Sequence, residues 1–292
     1  MERIIVTGAN GFIGRYVTEC LLNNSYFVFA IDCSSHQWDS ENIEQIVSRI
    51  SSGKTINYCS EKVGQAEIMI HLAADITVPG DSLTLGNNLD GMFAALEIAR
   101  RVKVKQFILL SSVPVIGEIQ YTPIDEVHPV RPKTPYHWSK YLCEQMLGNY
   151  GEIFETITII RIPSPIGVGM RKNVFLSVLL DKMQRNEDVN IYGSGNRVQS
   201  YIDVRDLSVA IHKAIEAKAN GLFLISGKEA ISNRQLAELC KDLIKGKSNL
   251  LYNRQKDPSE SEKWIISHKK AEDIFGYQPL FDIEDTIRWI IR

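Results

Sequence analysis

The most constraining feature of this chain is a glycine-rich turn between an apolar run and an amphipathic segment. Residues 4–6 are typical of a buried strand, and residues 12–23 have the period of a helix. Between them the glycines are spaced G-x-x-G-x-x-G. Gly8 permits a tight turn, Gly11 lets the backbone approach a pyrophosphate, and Gly14 lets the helix pack close to the strand. The free N–H groups at the helix N-terminus then favour phosphate, so the turn predicts a dinucleotide site.

A carboxylate at the end of the next strand indicates which dinucleotide is bound. The apolar run 26–31 ends at Asp32, 18 residues after the last glycine of the turn. A carboxylate there can accept hydrogen bonds from the adenosine ribose hydroxyls, and it repels the additional phosphate of NADP. Cys33, Ser34 and Ser35 add no cation for that phosphate. The sequence therefore predicts NAD, although a glycine turn capped by an aspartate is the simpler alternative.

Strand and helix patterns alternate through the first half of the chain. Beyond the first two strands, we predict strands at 68–72, 106–110 and 156–162, and helices at 89–101 and 136–150. Alternation of this kind is typical of a parallel sheet covered by helices on both faces. The predicted fold class is therefore α/β, a Rossmann-type doubly wound sheet followed by a smaller C-terminal α/β lobe.

The second half of the chain has a different character, because proline and glycine interrupt it at 163–169. We predict helices at about 174–185 and 206–217, a helix capped by Ser232, and a polar loop at 253–263. The predicted domains are an NAD-binding Rossmann domain, 1–165, and a mainly substrate-binding lobe, 166–292. The segment at about 201–217 is expected to return to the cofactor domain.

Composition excludes several classes of function. With 33 basic and 35 acidic residues, the formal net charge is −2, so no general basic field attracts nucleic acid or an anionic membrane surface. The five cysteines are scattered and the six histidines lack ligand spacing, which predicts reduced thiols and no metal site. The first strand begins almost at the initiator, and no apolar run approaches the roughly 20 residues that span a bilayer. We therefore expect a cytoplasmic protein.

Three side chains suggest the chemistry. Tyr136 and Lys140 are four residues apart, so they share one face of a helix. A tyrosine with the usual pKa of about 10 is a poor base, but a nearby ammonium or a positively charged nicotinamide ring lowers that pKa. Tyr136 could then exchange a hydroxyl proton while hydride moves. The preceding strand ends in Ser111-Ser112, at the edge where open α/β sheets bind ligands, and Ser112 could bond the reacting oxygen. A tyrosine and lysine at this spacing are common by chance, and the interpretation depends on the order of all these motifs.

Together these motifs resemble the extended short-chain dehydrogenase/reductase family, especially its NAD-dependent sugar-nucleotide epimerases and dehydratases. The similarity runs over nearly the whole chain. It rests on residues 7–14, 32, 71–74, 88–91, 111–117, 123–126, 135–140 with Glu144, 161–167, 201–206 and 275–279.

The resemblance implies a role for each matched residue. The catalytic triad would be Ser112, Tyr136 and Lys140. NAD would be bound by Gly8, Gly11, Phe12, Ile13, Gly14, Asp32, Leu72, Ala73, Ala74, Asn88, Tyr136 and Lys140. The implied partner is a nucleotide-sugar substrate. Family members often form homodimers through the helices that correspond to 89–101 and 136–150. Ala94, Ala95 and Ala99 would suit such a helix contact, and a buried face within one chain explains them equally well.

Departures from the family pattern bear on the reaction and on the substrate. The dehydratases carry an Asp-Glu pair where this chain has Val113-Pro114, which disfavours dehydration. The Asn of the family's Arg-x-x-Asn pattern is Ser164, and the arginine that often contacts phosphates is Gln199, with Arg197 two residues before it. Arg254 matches a second phosphate-binding arginine. We therefore expect the substrate to contact Ser164, Arg197, Gln199 and Arg254.

One further departure concerns the adenine end of the cofactor. The aspartate that commonly follows the third strand is missing near Tyr58-Cys59, where we expect that strand to end.

Three functions are compatible with these residues. The first is an NAD-dependent epimerase that oxidises a nucleotide sugar, at C4 by expectation, and returns the hydride to the opposite face of the ketone. The second is a dehydrogenase or ketoreductase on a nucleotide sugar or another small alcohol, which would need external cofactor. The third is a non-catalytic NAD-binding sensor. Such proteins usually lose the tyrosine and lysine, so the retained pair argues against it.

Overall fold

A computed structural model describes residues 1–51, 53–76, 82–253 and 257–292. The strands are β1 Arg3–Thr7, β2 Phe27–Asp32, β3 Ile43–Val47, β4 Ile68–His71, β5 Gln106–Ser112, β6 Thr156–Ile162, β7 Ser164–Ile166, β8 Val189–Tyr192, β9 Val198–Asp203, β10 Gly221–Leu224, β11 Ala230–Ser232 and β12 Leu250–Asn253. The helices are α1 Phe12–Asn23, α2 Gly53–Val63, α3 Ser82–Arg101, α4 Pro135–Gly148, α5 Phe175–Gln184, α6 Val204–Glu216, α7 Asn233–Ile244, α8 Lys269–Phe275 and α9 Ile283–Ile290. A short 3-10 helix, Val113–Ile116, follows β5.

The central sheet has seven strands in the order β10-β6-β5-β4-β1-β2-β3. Every neighbouring pair in it is parallel. The chain moves outward from β1 through β2 to β3 and then returns to β4 on the other side of β1. This reversal between β1 and β4 is the topological switch point, and ligands of doubly wound sheets bind beyond the carboxyl ends of the strands there. The predicted fold class is confirmed.

Both faces of the sheet are buried, as the near-continuous apolar runs in its strands require. Ile4 and Val6 point to one face and pack with residues of α1 and α6, whereas Ile5 points to the other face and packs with α2, α3 and α4. All three side chains are fully buried. Burying such a side chain contributes about 1.5–3 kcal/mol, so strand alternation fixes which helix covers which face.

The remaining strands form two small sheets, β11-β9-β7 and β12-β8. A separate apolar cluster, drawn from residues 166–291, packs these sheets with α5, α7 and α9. This arrangement supports the division at residue 165, which we propose as the domain boundary. The returning part is larger than the predicted segment 201–217, because β10 joins the central sheet and Phe275 of α8 packs in the cluster that covers α1.

The third strand is not where the sequence pattern placed it. It is β3, and the residues near Tyr58-Cys59 lie in α2 instead. The strand occupies an edge of the sheet, and only Ile46 of its five residues is fully buried. Its apolar pattern is therefore weak. Ser48 and Arg49 directly follow this strand.

No helix in the described parts of the chain combines the length and apolar character needed to cross a membrane.

We predict that Gly14→Ala destabilises the fold strongly. A Cβ atom at Gly14 would overlap the carbonyl oxygen of Gly8 and lie 2.8 Å from Ala9 Cα, so backbone would have to move. We expect a loss of about 3 kcal/mol, the upper range for an overpacked site. Gly53→Ala is the control, because nothing lies within 4 Å of its added Cβ. Urea unfolding of both variants tests this, and equal midpoints would contradict it.

Candidate active site

The glycine turn lies directly against the loop that follows β4. Gly8 adopts φ +71°, and a Cβ atom there would be 2.8 Å from both the Cα and the N of Ala73. Gly11 immediately precedes α1, and its N–H donates to the Gly8 carbonyl at 3.1 Å. The turn therefore opens at the switch point with the N-terminus of α1 exposed. A side chain at Gly8 or Gly14 would collide with backbone, so only glycine permits this tight turn, and its form fits the pyrophosphate of NAD at a helix N-terminus.

Asp32 ends β2 and fixes the turn from the side. Its Oδ2 accepts from Asn10 N at 3.0 Å, and its Oδ1 accepts from Ser34 N at 3.0 Å and from Ser34 Oγ at 2.9 Å. The carboxylate is thus oriented beside the glycine turn, where a ribose would bind. Sequence reasoning found no cation here, but Arg49, just beyond β3, is near enough that its charge lowers the pKa of Cys33 against a larger rise caused by burial. Arg49 was not noticed in the sequence because β3, the strand that it follows, was not predicted there.

The other residues assigned to NAD lie around this turn. Phe12 and Ile13 begin α1, and Leu72, Ala73 and Ala74 form the half-buried loop after β4. Asn88, which was also assigned to NAD, makes its hydrogen bonds within the protein. It is buried, its Oδ1 accepts from Asp75 N at 2.6 Å, and its Nδ2 donates to Ser139 Oγ at 2.8 Å and to Asp75 O at 3.1 Å. Asn88 therefore joins the β4 loop to α4, and we assign it to positioning the site.

The two serines at the end of β5 are distinguished by their partners. Successive side chains of a strand point to opposite faces. Ser111 is buried, and its Oγ donates to Glu144 Oε1 at 2.5 Å. Ser112 is half-buried at the carboxyl end of the strand, and its hydroxyl has no partner among the described residues. Only Ser112 is available to a reacting oxygen.

Helix α4 carries the tyrosine and the lysine. Thr134 caps it by accepting from His137 N at 3.2 Å, and Pro135 occupies the first turn, a combination that stabilises a helix start. Tyr136 is half-buried in that first turn, and its hydroxyl has no partner among the described residues. Lys140 is buried one turn later, and its Nζ donates to the carbonyl of Leu110 in β5 at 2.9 Å.

The prediction that Lys140 lowers the pKa of Tyr136 is wrong for the protein without its cofactor. Burial raises the pKa of Tyr136 to about 12. Burial also lowers the pKa of Lys140, whose ammonium is directed at Leu110 and not at the phenol. The cation that lowers the pKa of Tyr136 is Arg171, although its effect is smaller than that of burial.

Below the reacting groups, α4 is fixed by a buried ion pair. Arg161 of β6 donates to Glu144 through Nε at 2.9 Å and through Nη2 at 2.7 Å. Both side chains are at most 4% exposed, and the bond from Ser111 satisfies the carboxylate further. Breaking a satisfied buried pair of this kind typically costs 3–5 kcal/mol. The sequence motifs contained both residues but did not indicate that they pair.

His71, at the end of β4, is a buried neutral neighbour of Lys140. Burial and the charge of Lys140 lower the pKa of His71 to about 3. Its Nδ1 is 2.8 Å from Thr7 Oγ1, the last residue of β1. This bond ties β1 to β4 at the switch point without adding charge. In the described parts of the chain, no group of three or more His, Cys, Asp or Glu side chains is arranged to hold a metal ion.

A cavity of about 860 Å³ in the smaller lobe contains two of the residues predicted to bind substrate, Arg197 and Gln199. Arg197 Nη2 is 3.3 Å from Glu262 Oε2, and Gln199 Nε2 donates to Asn233 Oδ1 at 2.9 Å. Further residues line it: Asn173, Phe175, Val178, Leu179, Lys182, Val189, Asn190, Ile191, Tyr192, Asn233, Asp257 and Pro258. Apolar walls with polar and cationic side chains suit a nucleotide.

The other two residues predicted to bind substrate are not in that wall. Ser164 is half-buried at the start of β7, in register with Tyr201 of β9, and it is absent from the described lining of the cavity. Arg254 lies outside the described residues. Lys182 was missed by sequence reasoning, because a lysine on an amphipathic helix usually faces solvent and gives no signal of its own.

Comparisons with known proteins agree with this geometry. The sequence profile of the NAD dependent epimerase/dehydratase family matches residues 4–225. A Methanocaldococcus jannaschii protein with the provisional name UDP-glucose 4-epimerase is 28% identical over 99% of this chain and 97% of its own. UDP-glucuronic acid decarboxylase 1 of Danio rerio is 24% identical over 100% of this chain and 72% of its own. The crystal structure of Thermotoga maritima UDP-glucose 4-epimerase with UDP-glucose superimposes with a TM-score of 0.87 at 24% identity, over 99% and 97% of the two chains, and shows the shared fold.

We predict that Tyr136 stays protonated at pH 10.5 in protein freed of NAD, because burial raises its pKa to about 12. The measurement is the difference in phenolate absorbance between the parent protein and Tyr136→Phe, with circular dichroism to check that both remain folded. We expect almost no difference. An excess of about three quarters of a phenolate in the parent protein would indicate an ordinary pKa near 10 and contradict the prediction.

Proposed function

This chain belongs to the NAD-dependent epimerase/dehydratase family, and we propose that it interconverts the two C4 epimers of a nucleotide sugar. The observation that carries the proposal is a pair of hydroxyls, Ser112 and Tyr136, that have no partner among the described residues. They lie at the carboxyl edge of a sheet whose switch point fits NAD. Similar proteins named as UDP-glucose 4-epimerases support a UDP-sugar as the substrate.

In the proposed mechanism, the side chains handle the proton. The phenol oxygen of Tyr136 takes the proton of the C4 hydroxyl and later returns it, while Ser112 donates a hydrogen bond to the same sugar oxygen. Bound NAD supplies a hydride acceptor and donor for the sugar carbon. Lys140 is fixed by the carbonyl of Leu110 and holds α4 against β5. The phenolate has to become accessible when cofactor and substrate bind, since burial otherwise raises the pKa of Tyr136 to about 12.

The residues after Ser112 support epimerisation over dehydration. Elimination of water from the ketone requires an acid and a base, and this chain has Val113 and Pro114 at the place where such a pair would follow the serine. Val113 is fully buried in the 3-10 helix and cannot exchange protons. Without that pair the ketone is not dehydrated, and hydride return to its other face gives the epimer.

The cavity of the smaller lobe supports a nucleotide as the group that anchors the substrate. Arg197 and Lys182 supply positive charge, and Asp257 can accept hydrogen bonds from ribose hydroxyls. Gln199 is neutral and already bonded to Asn233. This unusual wall supports the second candidate, a net dehydrogenase on a related alcohol, which would consume external NAD.

We also propose a homodimer and a cytoplasmic location. Ala94, Ala95 and Ala99 of α3 are buried within one protomer, so they do not mark a dimer face. Exposed aromatic side chains on the two packed helices support one instead: Phe93 of α3 is 57% exposed, and Trp138 of α4 is 44% exposed. Five unpaired cysteines fit a reducing compartment.

We predict epimer interconversion without added cofactor in a panel of nucleotide sugars that includes UDP-glucose, UDP-N-acetylglucosamine and UDP-glucuronate. Anomeric proton signals in NMR spectra identify the epimers. Tyr136→Phe should lose at least 100-fold in rate, because proton transfer by a positioned group contributes about 10²–10⁴-fold. Turnover that requires external NAD and stops at a ketone would support the dehydrogenase. No reaction across the panel would count against both functions.

For the dimer, we expect the parent protein to sediment as a dimer and Phe93→Asp as a monomer, because a carboxylate cannot be buried unpaired in an interface. Val127→Asp is the control, since Val127 is 82% exposed and lies on neither helix. Analytical ultracentrifugation of the three proteins tests this. A monomeric parent protein, or a dimeric Phe93→Asp, would refute the proposed face.

A further inference from the structure

The segment that follows β7, residues 167–171, is closely packed where it begins. A Cβ atom at Gly167 would be 2.7 Å from Val204 Cγ1 and 2.9 Å from the ring of Trp289. Met170 N donates back to Gly167 O at 3.1 Å, which folds the segment into a turn. These five residues are called the strap below.

The strap is attached to α1, the helix that begins at the glycine turn. The hydroxyl of Tyr16 donates to Val168 O at 2.9 Å. A Cβ atom at Gly169 would be 3.1 Å from Arg15 Nη2 and 3.8 Å from Phe12 Cδ2, so the strap passes against the first turn of the helix. Phe12 is one of the residues assigned to NAD. This part of the strap therefore lies beside the turn that fits the pyrophosphate.

The far end of the strap is attached to the loop that follows β4. Arg171 Nη2 donates to Ile76 O at 2.9 Å. Ile76 lies two residues beyond Ala74, in the loop whose residues 72–74 are assigned to NAD. Among the residues that the structure describes, Arg171 has no other hydrogen bond and no ion pair. A single described hydrogen bond thus joins the guanidinium to this loop.

The two attachments lie on either side of the cofactor edge of the sheet. Helix α1 covers one face of the sheet, and α3, the next helix after the β4 loop, covers the other. A dinucleotide that contacts both the glycine turn and residues 72–74 lies between the attachments, so the strap crosses over it. Loops that close over a ligand commonly control its entry and release.

The two ends of the strap differ in how firmly they are held. The end at α1 is fixed by the packing around Gly167 as well as by the bond from Tyr16. The end at Ile76 is exposed, and its described attachment is the bond from Arg171. The strap should therefore open at Arg171 and stay in place at α1.

We propose that the bond from Arg171 to the Ile76 carbonyl is a latch that sets the rate at which NAD enters and leaves the site. The inference rests on the proposed function, since an epimerase reuses the same NAD in every turnover and has no need to exchange it. Both partners of the latch belong to the protein, so it opposes entry and exit alike. A residue that binds NAD directly would slow only its exit.

The test measures exchange of NAD in the absence of a sugar. Protein loaded with isotope-labelled NAD is mixed with an excess of unlabelled NAD, and the label that stays bound is followed over time. Association is measured by tryptophan fluorescence after NAD is mixed with protein freed of cofactor, and calorimetry gives the Kd. Arg171→Gln should release NAD about tenfold faster, as expected for the loss of one charge-assisted hydrogen bond. Association should accelerate by the same factor, so that the Kd is almost unchanged.

Two further variants keep the test specific. Lys172→Gln is the matched control, because it removes a neighbouring exposed cation outside the strap and should leave both rates unchanged. Tyr16→Phe removes the bond at the α1 end and should accelerate exchange less than Arg171→Gln, since the packing around Gly167 remains.

Three results would overturn the inference. The first is equal exchange in Arg171→Gln and the parent protein, and the second is a larger effect of Tyr16→Phe. The third is a weaker Kd with unchanged association, which indicates direct contact with NAD. The proposed function fails separately. Exchange that depends on Arg171 in a protein that epimerises no nucleotide sugar would retain the latch and overturn the epimerase. Epimerisation with exchange independent of Arg171 would do the reverse.

Discussion

The site depends on one close approach of backbone to backbone, where the turn after β1 meets the loop after β4. Gly8 and Ala73 are so near that any side chain at Gly8 would displace one of them. The same turn carries the start of α1 against β1, which Gly14 permits. Because β1 and β4 are neighbours at the switch point, this contact leaves the helix N-terminus and the strand ends open on one edge. The described residues assigned to NAD are arranged around it.

Helix α4 connects this cofactor edge to the reacting groups. Its first turn carries Tyr136, its second carries Lys140, and its third carries Glu144, so a single helical face meets β5 and β6. Lys140 bonds a carbonyl of β5, and Glu144 bonds both a β5 serine and the arginine of β6. A buried ion pair with satisfied partners tolerates little displacement, since any shift exposes an unpaired charge to a low dielectric. The position of the tyrosine is therefore determined from beneath, by contacts of its helix with β5 and β6.

Burial favours the neutral forms of most titratable groups in the site. His71 stays neutral because burial and Lys140 both lower its pKa, and burial disfavours the charged forms of Lys140 and of Tyr136. The exposed Arg171 is the described cation that lowers the pKa of the phenol. This edge of the sheet is largely neutral before ligands bind. The charges of bound ligands therefore have a strong effect on the pKa values there, since electrostatic interactions are stronger where water is excluded.

The features that could be predicted from the sequence alone are those that local rules govern. These features depend on residues that are close together in the chain. They are the strand and helix periods, the sterics of the glycine turn, the strand that ends at Asp32, and the shared face of Tyr136 and Lys140. Features that depend on distant residues could be read only from the folded chain. It gave Lys140 a carbonyl of β5 as its partner, buried the small residues of α3 inside one protomer, and brought Arg171 to the phenol. It also made an edge strand of β3, where a weakly apolar segment is sufficient because only one neighbouring strand pairs with it. Periodicity predicts which face of a helix or strand is buried, but only the packing of whole elements shows which residues that face contacts.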